Sequence, residues 1–225
     1  MTIRREDVRS GKTSVSSQKI IDMLSTISQR ICDLFKEVYG TVVEFPTINR
    51  AGFNSRFKAA VDYKDEVELI KKEVLDYISK VAPALYNKED WLRILFKLSD
   101  ISDKSLGVMY RLEQLMVNGG PIPKEPHSYL VELSEVVAGM LNEYKHALLI
   151  TGIDSDKALE ACGRIEEMER EADEAYRRTV FSVLSSNVSF RELLLMKDIA
   201  DMLENISDAT EAATDDLRII LFSLL

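Results

Sequence analysis

Residues 193–220 read LLLMKDIADMLENISDATEAATDDLRII, and two patterns run through them at once. Leu195, Ile199, Met202, Ile206, Ala209, Ala213, Leu217 and Ile220 follow steps of three and four. That spacing puts apolar side chains along one side of an α-helix. Asp201, Glu204, Asp208, Glu211 and Asp215 follow the same steps on another side, as an acidic ridge over four turns. No Gly or Pro interrupts the segment, and Ser189 with Glu192 forms a capping box at its start. The prediction is a helix from residue 189 nearly to residue 225.

The same periodicity, followed backward, predicts helices over 17–43, 51–85, 87–117, 128–150 and 154–185. In the first, Ile20, Met23, Leu24, Ile27, Ile31, Leu34 and Phe35 carry the pattern, and Phe45-Pro46-Thr47 ends it. The second has Phe57, Ala60, Tyr63, Val67, Ile70, Val74, Tyr77, Val81 and Leu85 on one stripe, with Pro83 near its end. Asn87, with Asp90 three residues on, is the expected N-cap of the third. Asn118-Gly119-Gly120-Pro121-Ile122-Pro123-Lys124-Glu125-Pro126 is the clearest break, close to the midpoint. No strand-like alternation of useful length occurs, so the fold class is all-α. The expected organisation is a flexible tail (1–16), a three-helix repeat (17–117), a linker (118–127) and a second three-helix repeat (128–225), together one domain.

The halves read as copies. An offset of 105 places Ile206-Ser207-Asp208 over Ile101-Ser102-Asp103, and Asp173 over Glu68. Such a duplication predicts two pseudo-symmetric three-helix bundles side by side, their second and third helices long and antiparallel.

Composition narrows the function. The 225 residues carry a net charge of −9, which argues against nucleic acid as a ligand, since duplex binding needs a basic face. Between Glu160 and Asp216 stand 15 acidic and 6 basic residues, an excess equal to the whole imbalance. A field concentrated this way favours cations or a basic partner. Cys32 and Cys162 form no metal or disulfide motif and read as buried thiols of a reducing, cytoplasmic setting. The polar N-terminus lacks a signal peptide's apolar region, and the longest apolar stretches fall short of the roughly 20 residues of a membrane span. No direct membrane insertion is expected. The exposed side of the first helix and residues 106–116 are the expected faces for a homo-oligomer.

The candidate site follows from carboxylate spacing. Glu169 and Asp173 are four apart, as are Glu204 and Asp208, so each pair shares a helix face. Asp201 extends one ridge, and Glu166 the other. Opposed on antiparallel neighbours, these oxygens would suit hard divalent or trivalent cations. The absence of His from the ridges argues against zinc. A solvated helix face is the plain alternative. In the first half, Glu68 and Asp103 remain, but Lys64 stands where Glu169 does and Ser99 where Glu204 does.

The runs Glu169-Arg170-Glu171-Ala172-Asp173-Glu174 and Lys197-Asp198-Ile199-Ala200-Asp201-Met202-Leu203-Glu204-Asn205-Ile206-Ser207-Asp208 resemble the signature segments of PhoU-like proteins. The ending Ala212-Ala213-Thr214-Asp215-Asp216-Leu217-Arg218-Ile219-Ile220 resembles the shorter branch, the PhoU-related phosphate transport regulators. The resemblance implies paired three-helix bundles, metal clusters, often of iron, on E/D-x-x-x-D motifs, and non-enzymatic control of phosphate uptake. It implies a Pit-type phosphate transporter as partner, with the protein peripheral to the membrane through it. Carried over by position, Glu169, Asp173, Glu204 and Asp208 are the metal candidates, with Asp201 beside them. Glu68 and Asp103 are the counterparts in the first half.

Two other classes fit parts of the sequence. A di-iron carboxylate enzyme of ferritin-like type needs two Glu-x-x-His motifs, and Glu143 with His146 supplies one. A metal-free interaction bundle would turn the ridge toward a basic surface. No Gly-rich phosphate loop, nucleophile elbow or Cys-His arrangement supports a kinase or hydrolase.

Overall fold

Hydrogen-bonded caps start several of the predicted helices in the computed structural model, which describes residues 14–82, 85, 87–118 and 122–224. Six helices, α1 (Val15–Glu44), α2 (Arg50–Val81), α3 (Lys88–Asn118), α4 (Lys124–Thr151), α5 (Ser155–Ser185) and α6 (Phe190–Leu224), account for nearly all of these residues, and no strand occurs among them. Ser14 Oγ accepts from the Ser17 N–H at 3.1 Å, Asn49 Oδ1 from Gly52 at 2.8 Å, and Asp154 Oδ1 from Lys157 at 3.1 Å. The capping box of α6 closes as expected: the Ser189 N–H donates to Glu192 at 2.8 Å, and the Glu192 N–H to Ser189 Oγ at 3.3 Å.

Several starts and ends differ from expectation; α2, expected to reach residue 85, ends at Val81. The predicted tail covered 1–16, but α1 already begins at Val15; residues 1–13 lie outside the described residues, as does Pro83. Asn87 precedes α3 in the left-handed region (φ 56°), and its side chain donates to Ser223 Oγ at 2.6 Å, so it is not the extended, side-chain-capping residue expected. The linker predicted over 118–127 is shorter, because α3 includes Asn118 and α4 starts at Lys124, four residues early. Pro123 sits just outside α4, and Pro126 occupies its third position, where a missing N–H costs no helical bond.

Within the first half α2 packs on α1 and α3; within the second α5 packs on α4 and α6. Two further pairings, α1 with α4 and α3 with α6, join the halves, and one continuous cluster of buried side chains runs through both. The α3–α6 register is a strict antiparallel one. Arg93 meets Asp216 at 3.0 Å, Lys97 Nζ donates to the Ala212 carbonyl at 2.6 Å, and Arg111 faces Asp198 at 3.9 Å. Between these, Gly107 leaves room for Met202, whose Cε would lie 2.8 Å from an added Cβ. Each step up α3 is matched by an equal step down α6. The offset of 105 carries Arg93 onto Asp198 and Arg111 onto Asp216, so the two helices exchange roles about a pseudo-twofold axis. Ser102 and Ser207, both buried, lie at its centre.

One sequence reading of side-chain placement is corrected. The stripe expected on α2 is narrower: Phe53, Ala60, Val67 and Val74 recur every seven residues and, with Ile78 and Lys64, are its buried residues. Phe57, Tyr63, Ile70, Tyr77 and Val81 only flank this seam, because α2 touches two neighbours rather than three. Residues 106–116, expected to offer a surface to a second subunit, bury Val108, Met109, Leu112 and Leu115 in the core and leave Tyr110 49% exposed. No helix is long and apolar enough, among the described residues, to cross a membrane.

Candidate functional site

The α5–α6 pair carries the acidic ridges, and contacts at both ends set their register. Near one end the Tyr176 hydroxyl donates to Asp201 at 3.0 Å; near the other Arg218 donates to Glu166 at 2.7 Å and to the Cys162 carbonyl at 3.1 Å. Ala172 and Ala175, small and buried, lie on α5 between these contacts. Between the two ends Glu169 and Asp173 of α5 lie near Glu204, Asp208 and Glu211 of α6.

These carboxylates repel one another across the interface. Glu169 is held above the usual carboxylate range by burial, then by Glu211, Asp173 and Asp208. Glu204 is raised by burial and by Asp208, Asp173, Asp201 and Glu169. Asp208 is raised by burial and Asp173 against the pull of Lys104, and Glu211 by burial, Asp215, Asp208 and Glu166. Burial and the Asp201 hydrogen bond push the Tyr176 phenol up to about 12. Partial cover comes from the flanks, where Arg177 pairs with Asp173 at 2.9 Å and Lys197 with Asp201 at 2.6 Å. No salt bridge or hydrogen bond among the described residues reaches the carboxyls of Glu169, Glu204, Asp208 or Glu211.

The corresponding place in the first half is built differently. Lys64 Nζ stands 2.6 Å from Glu68 and 2.9 Å from Asp103, its side chain only 11% exposed. Lys71 donates to Ser99 Oγ at 2.7 Å and lies 3.5 Å from Glu68, while Ser99 donates to Glu68 at 3.2 Å. Glu68 is accordingly held below its ordinary value, first by the Lys64 hydrogen bond against its partial burial. Burial works against the Lys64 ammonium, but hydrogen bonds to Asp103 and Glu68 outweigh it and raise its pKa. The seven expected site residues therefore fall into two groups: Glu169, Asp173, Glu204, Asp208 and Asp201 on one negative face, Glu68 and Asp103 around an internal cation.

A metal ion can be tested against these donors. Carboxylate oxygens alone are the set that hard cations prefer, and the second half has an excess of negative charge to offer one. In the arrangement described, however, no three His, Cys, Asp or Glu side chains stand close enough to hold an ion together. Glu169, Asp173, Glu204 and Asp208 would have to turn toward a common point, and Arg177 and Lys197 already pair with two acids of the face, Asp173 and Asp201. The second half fits a cation by chemistry; the first, with an ammonium between its acids, does not.

Sequence reading passed over several residues of this region. Tyr176 and Lys71 occupy equivalent positions at the offset of 105, as do Lys64 and Glu169. Applying the offset beyond the E-x-x-x-D motif would have found the Tyr176–Lys71 equivalence. Asp216, counted only as part of the acidic excess, is buried at 6% exposure between Arg93 and Lys97. Nothing in its local sequence distinguishes it from Asp215. Glu143, half of the ferritin-like motif, is taken up by Arg164 at 2.9 and 2.6 Å. His127 contacts the Val42 carbonyl at 2.8 Å and, with Lys124 three residues before it, forms no second Glu-x-x-His.

The architecture matches that of solved structures over most of its length. One, described as a PhoU-like phosphate regulatory protein from Shewanella oneidensis MR-1, superposes with a TM-score of 0.65 at 13% identity, over 91% of this chain and 99% of that one. A second PhoU-like protein from the same organism gives a TM-score of 0.66 at 12% identity, over 90% and 96%. No protein-family model and no curated protein matches the sequence. At this identity the likeness shows the fold, a pair of PhoU-like three-helix bundles.

Proposed function

We propose that the chain is a non-catalytic regulator of phosphate transport, which binds metal ions on the α5–α6 face and acts on a Pit-type phosphate transporter from the cytoplasmic side. The observation that carries the reading is the concentration of unpaired, mutually repelling carboxylates on one face of a PhoU-like fold. Like charges four apart on a helix cost a few tenths of a kcal/mol per pair. Here the repulsion is repeated across two helices and is only partly offset at the flanks, by Arg177 on Asp173 and Lys197 on Asp201; a cation or a basic partner surface would relieve the rest.

Glu169, Asp173, Glu204 and Asp208 would hold the ion, with Asp201 and its Tyr176 hydrogen bond steadying the end of the face. The ion would supply positive charge on an otherwise anionic surface, and with it the means to attract a phosphate oxygen. The chain's own residues contribute position: the Tyr176–Asp201 and Arg218–Glu166 contacts fix how the ridges oppose each other. A ferritin-like enzyme is disfavoured by the Arg164–Glu143 pair, which consumes its single motif.

The test has two arms. Protein purified without chelator should retain iron or manganese, or take it up on titration, and Glu204→Ala with Asp208→Ala should abolish this. Less than about a tenth of an equivalent per chain, with no uptake, would end the metal reading. Separately, the tagged chain should co-purify with a phosphate permease, and its loss should alter phosphate uptake by cells. A permease that neither co-purifies nor changes its uptake would leave the metal-free interaction bundle as the better account.

A further inference from the structure

The first half keeps the architecture of the acidic face but not its charge. The five positions 64, 68, 71, 99 and 103 hold Lys, Glu, Lys, Ser and Asp, which balance to neutrality. Their equivalents 169, 173, 176, 204 and 208 hold Glu, Asp, Tyr, Glu and Asp, all four carboxylates uncancelled by the fifth residue. Lys64 arises from α2 but reaches both Glu68 on its own helix and Asp103 on α3, bridging the pair at hydrogen-bonding distance. It does so while nearly buried, at the position where a long charged side chain is most costly to place unless paired.

We infer that Lys64 is a tethered counter-ion, its ammonium standing in the first half where a metal ion would stand in the second, so that α2–α3 is held together without cations and only α5–α6 responds to them. An ammonium is a compact point charge with three donors, suited to gathering oxygens from two helices. It cannot dissociate, be chelated or be exchanged. Lys71 completes the replacement by engaging Ser99 and Glu68 on the other flank. The chain would then have one constitutive half and one responsive half within a single continuous core, and the α1–α4 and α3–α6 contacts would couple them. The inference draws on the proposed metal reading only for the second half; the role of Lys64 stands on its own geometry.

Exchanging the two arrangements tests this. In chelator-treated protein, Glu169→Lys should let the new ammonium bridge Asp173 and Asp208 as Lys64 bridges Glu68 and Asp103. The melting temperature should rise by roughly 2–4 °C, and any shift given by Mn²⁺ should disappear. Lys64→Ala should lower the melting temperature by roughly 3–6 °C, and the triple variant Lys64→Glu, Lys71→Tyr, Ser99→Glu should gain a Mn²⁺-dependent increase that Lys64→Ala lacks. Hydrogen exchange of the wild-type chain should show Mn²⁺ slowing α5–α6 and leaving α2–α3 unchanged. A fall in melting temperature for Glu169→Lys, or Mn²⁺ protection of wild-type α2–α3, would overturn the inference. Should wild-type protein ignore Mn²⁺ altogether, the metal reading of the second half fails, and the metal-free melting temperatures of Glu169→Lys and Lys64→Ala alone decide the role of Lys64.

Discussion

Arg93 and Asp216 meet at 3.0 Å across the α3–α6 seam, and the pseudo-twofold axis carries this pair onto Asp198 and Arg111, which face each other at 3.9 Å with the signs exchanged. The same two helices thus clasp at both ends, but unequally. Asp216 is buried and receives a second cation, Lys97, at 2.7 Å, and Arg93 is also paired with Asp90. At the other end Asp198 is 53% exposed and the contact is loose. The positions match under the offset of 105, but only one clasp has a buried carboxylate.

Asp216→Ala should therefore cost about 2–3 kcal/mol, somewhat below the usual figure for breaking a buried pair because Arg93 remains half exposed. Asp198→Ala should cost no more than about 0.5 kcal/mol, the ordinary worth of an exposed pair. Urea denaturation midpoints at constant m-value measure both. Equal effects would show that the clasps are equivalent after all.

The pH dependence of the chelator-treated protein should have an unusual shape. Glu169, Glu204 and Glu211 are raised above 4.5 and Asp208 above 3.8, so the folded chain binds protons more readily than the unfolded one just above those values. Stability should rise as pH falls from neutrality through this window. Glu68 and Glu166 are lowered from 4.5, so their contribution is present above that value and is lost below it. The two trends place the maximum on the acidic side of neutrality, with a decline on either side. Thermal melts between neutrality and pH 4 check it, and Glu169→Gln with Glu204→Gln and Asp208→Asn should flatten the neutral limb while leaving the acid one.

Helix number, type and most boundaries could be read from the sequence because long amphipathic helices announce themselves through a repeating apolar step. The α6 capping box did so through two residues three apart. Departures came where tertiary context outweighed local chemistry. Pro126 reads as a breaker but is harmless in a first turn, and Asn87 reads as a cap but spends its side chain on Ser223. The acidic face was legible as two E-x-x-x-D pairs. Its contrast with the first half was visible as Lys64 and Ser99, but the bridging of Glu68 to Asp103 needed the packing of α2 on α3. Asp216 shows the limit: its burial depends on two cations more than a hundred residues away.

Gly163 lies inside α5 with nothing within 4 Å of an added Cβ. Gly163→Ala should stabilise the chain by about 0.5–1 kcal/mol, since alanine restricts the unfolded backbone and favours the helix. Gly107→Ala should gain less, because Met202 Cε would lie 2.8 Å from the new methyl and must swing aside. Melting temperatures of the two single variants give the order directly, and a larger gain at Gly107 would contradict the close α3–α6 approach.

Glu204 and Glu68 pose the sharpest contrast between the halves. In chelator-treated protein, Glu204→Gln removes a charge that burial and four neighbouring carboxylates disfavour, so stability at neutral pH should rise by a few tenths of a kcal/mol. Glu68→Gln removes the acceptor that Lys64 and Lys71 share, leaving the partly buried ammoniums with less compensation. Its expected effect is a loss of about 1 kcal/mol, reduced from the buried-pair value because Glu68 is itself about one-third exposed. The opposite signs matter because both residues are acidic, helical and part-buried, and composition alone would rank them alike. A residue whose removal stabilises the metal-free fold is retained against stability, as positions serving a ligand or partner commonly are. Denaturant midpoints of the two variants, measured with and without chelator, settle the comparison: a stabilising Glu68→Gln or a destabilising Glu204→Gln in metal-free protein would remove the distinction between a self-compensated half and a responsive one.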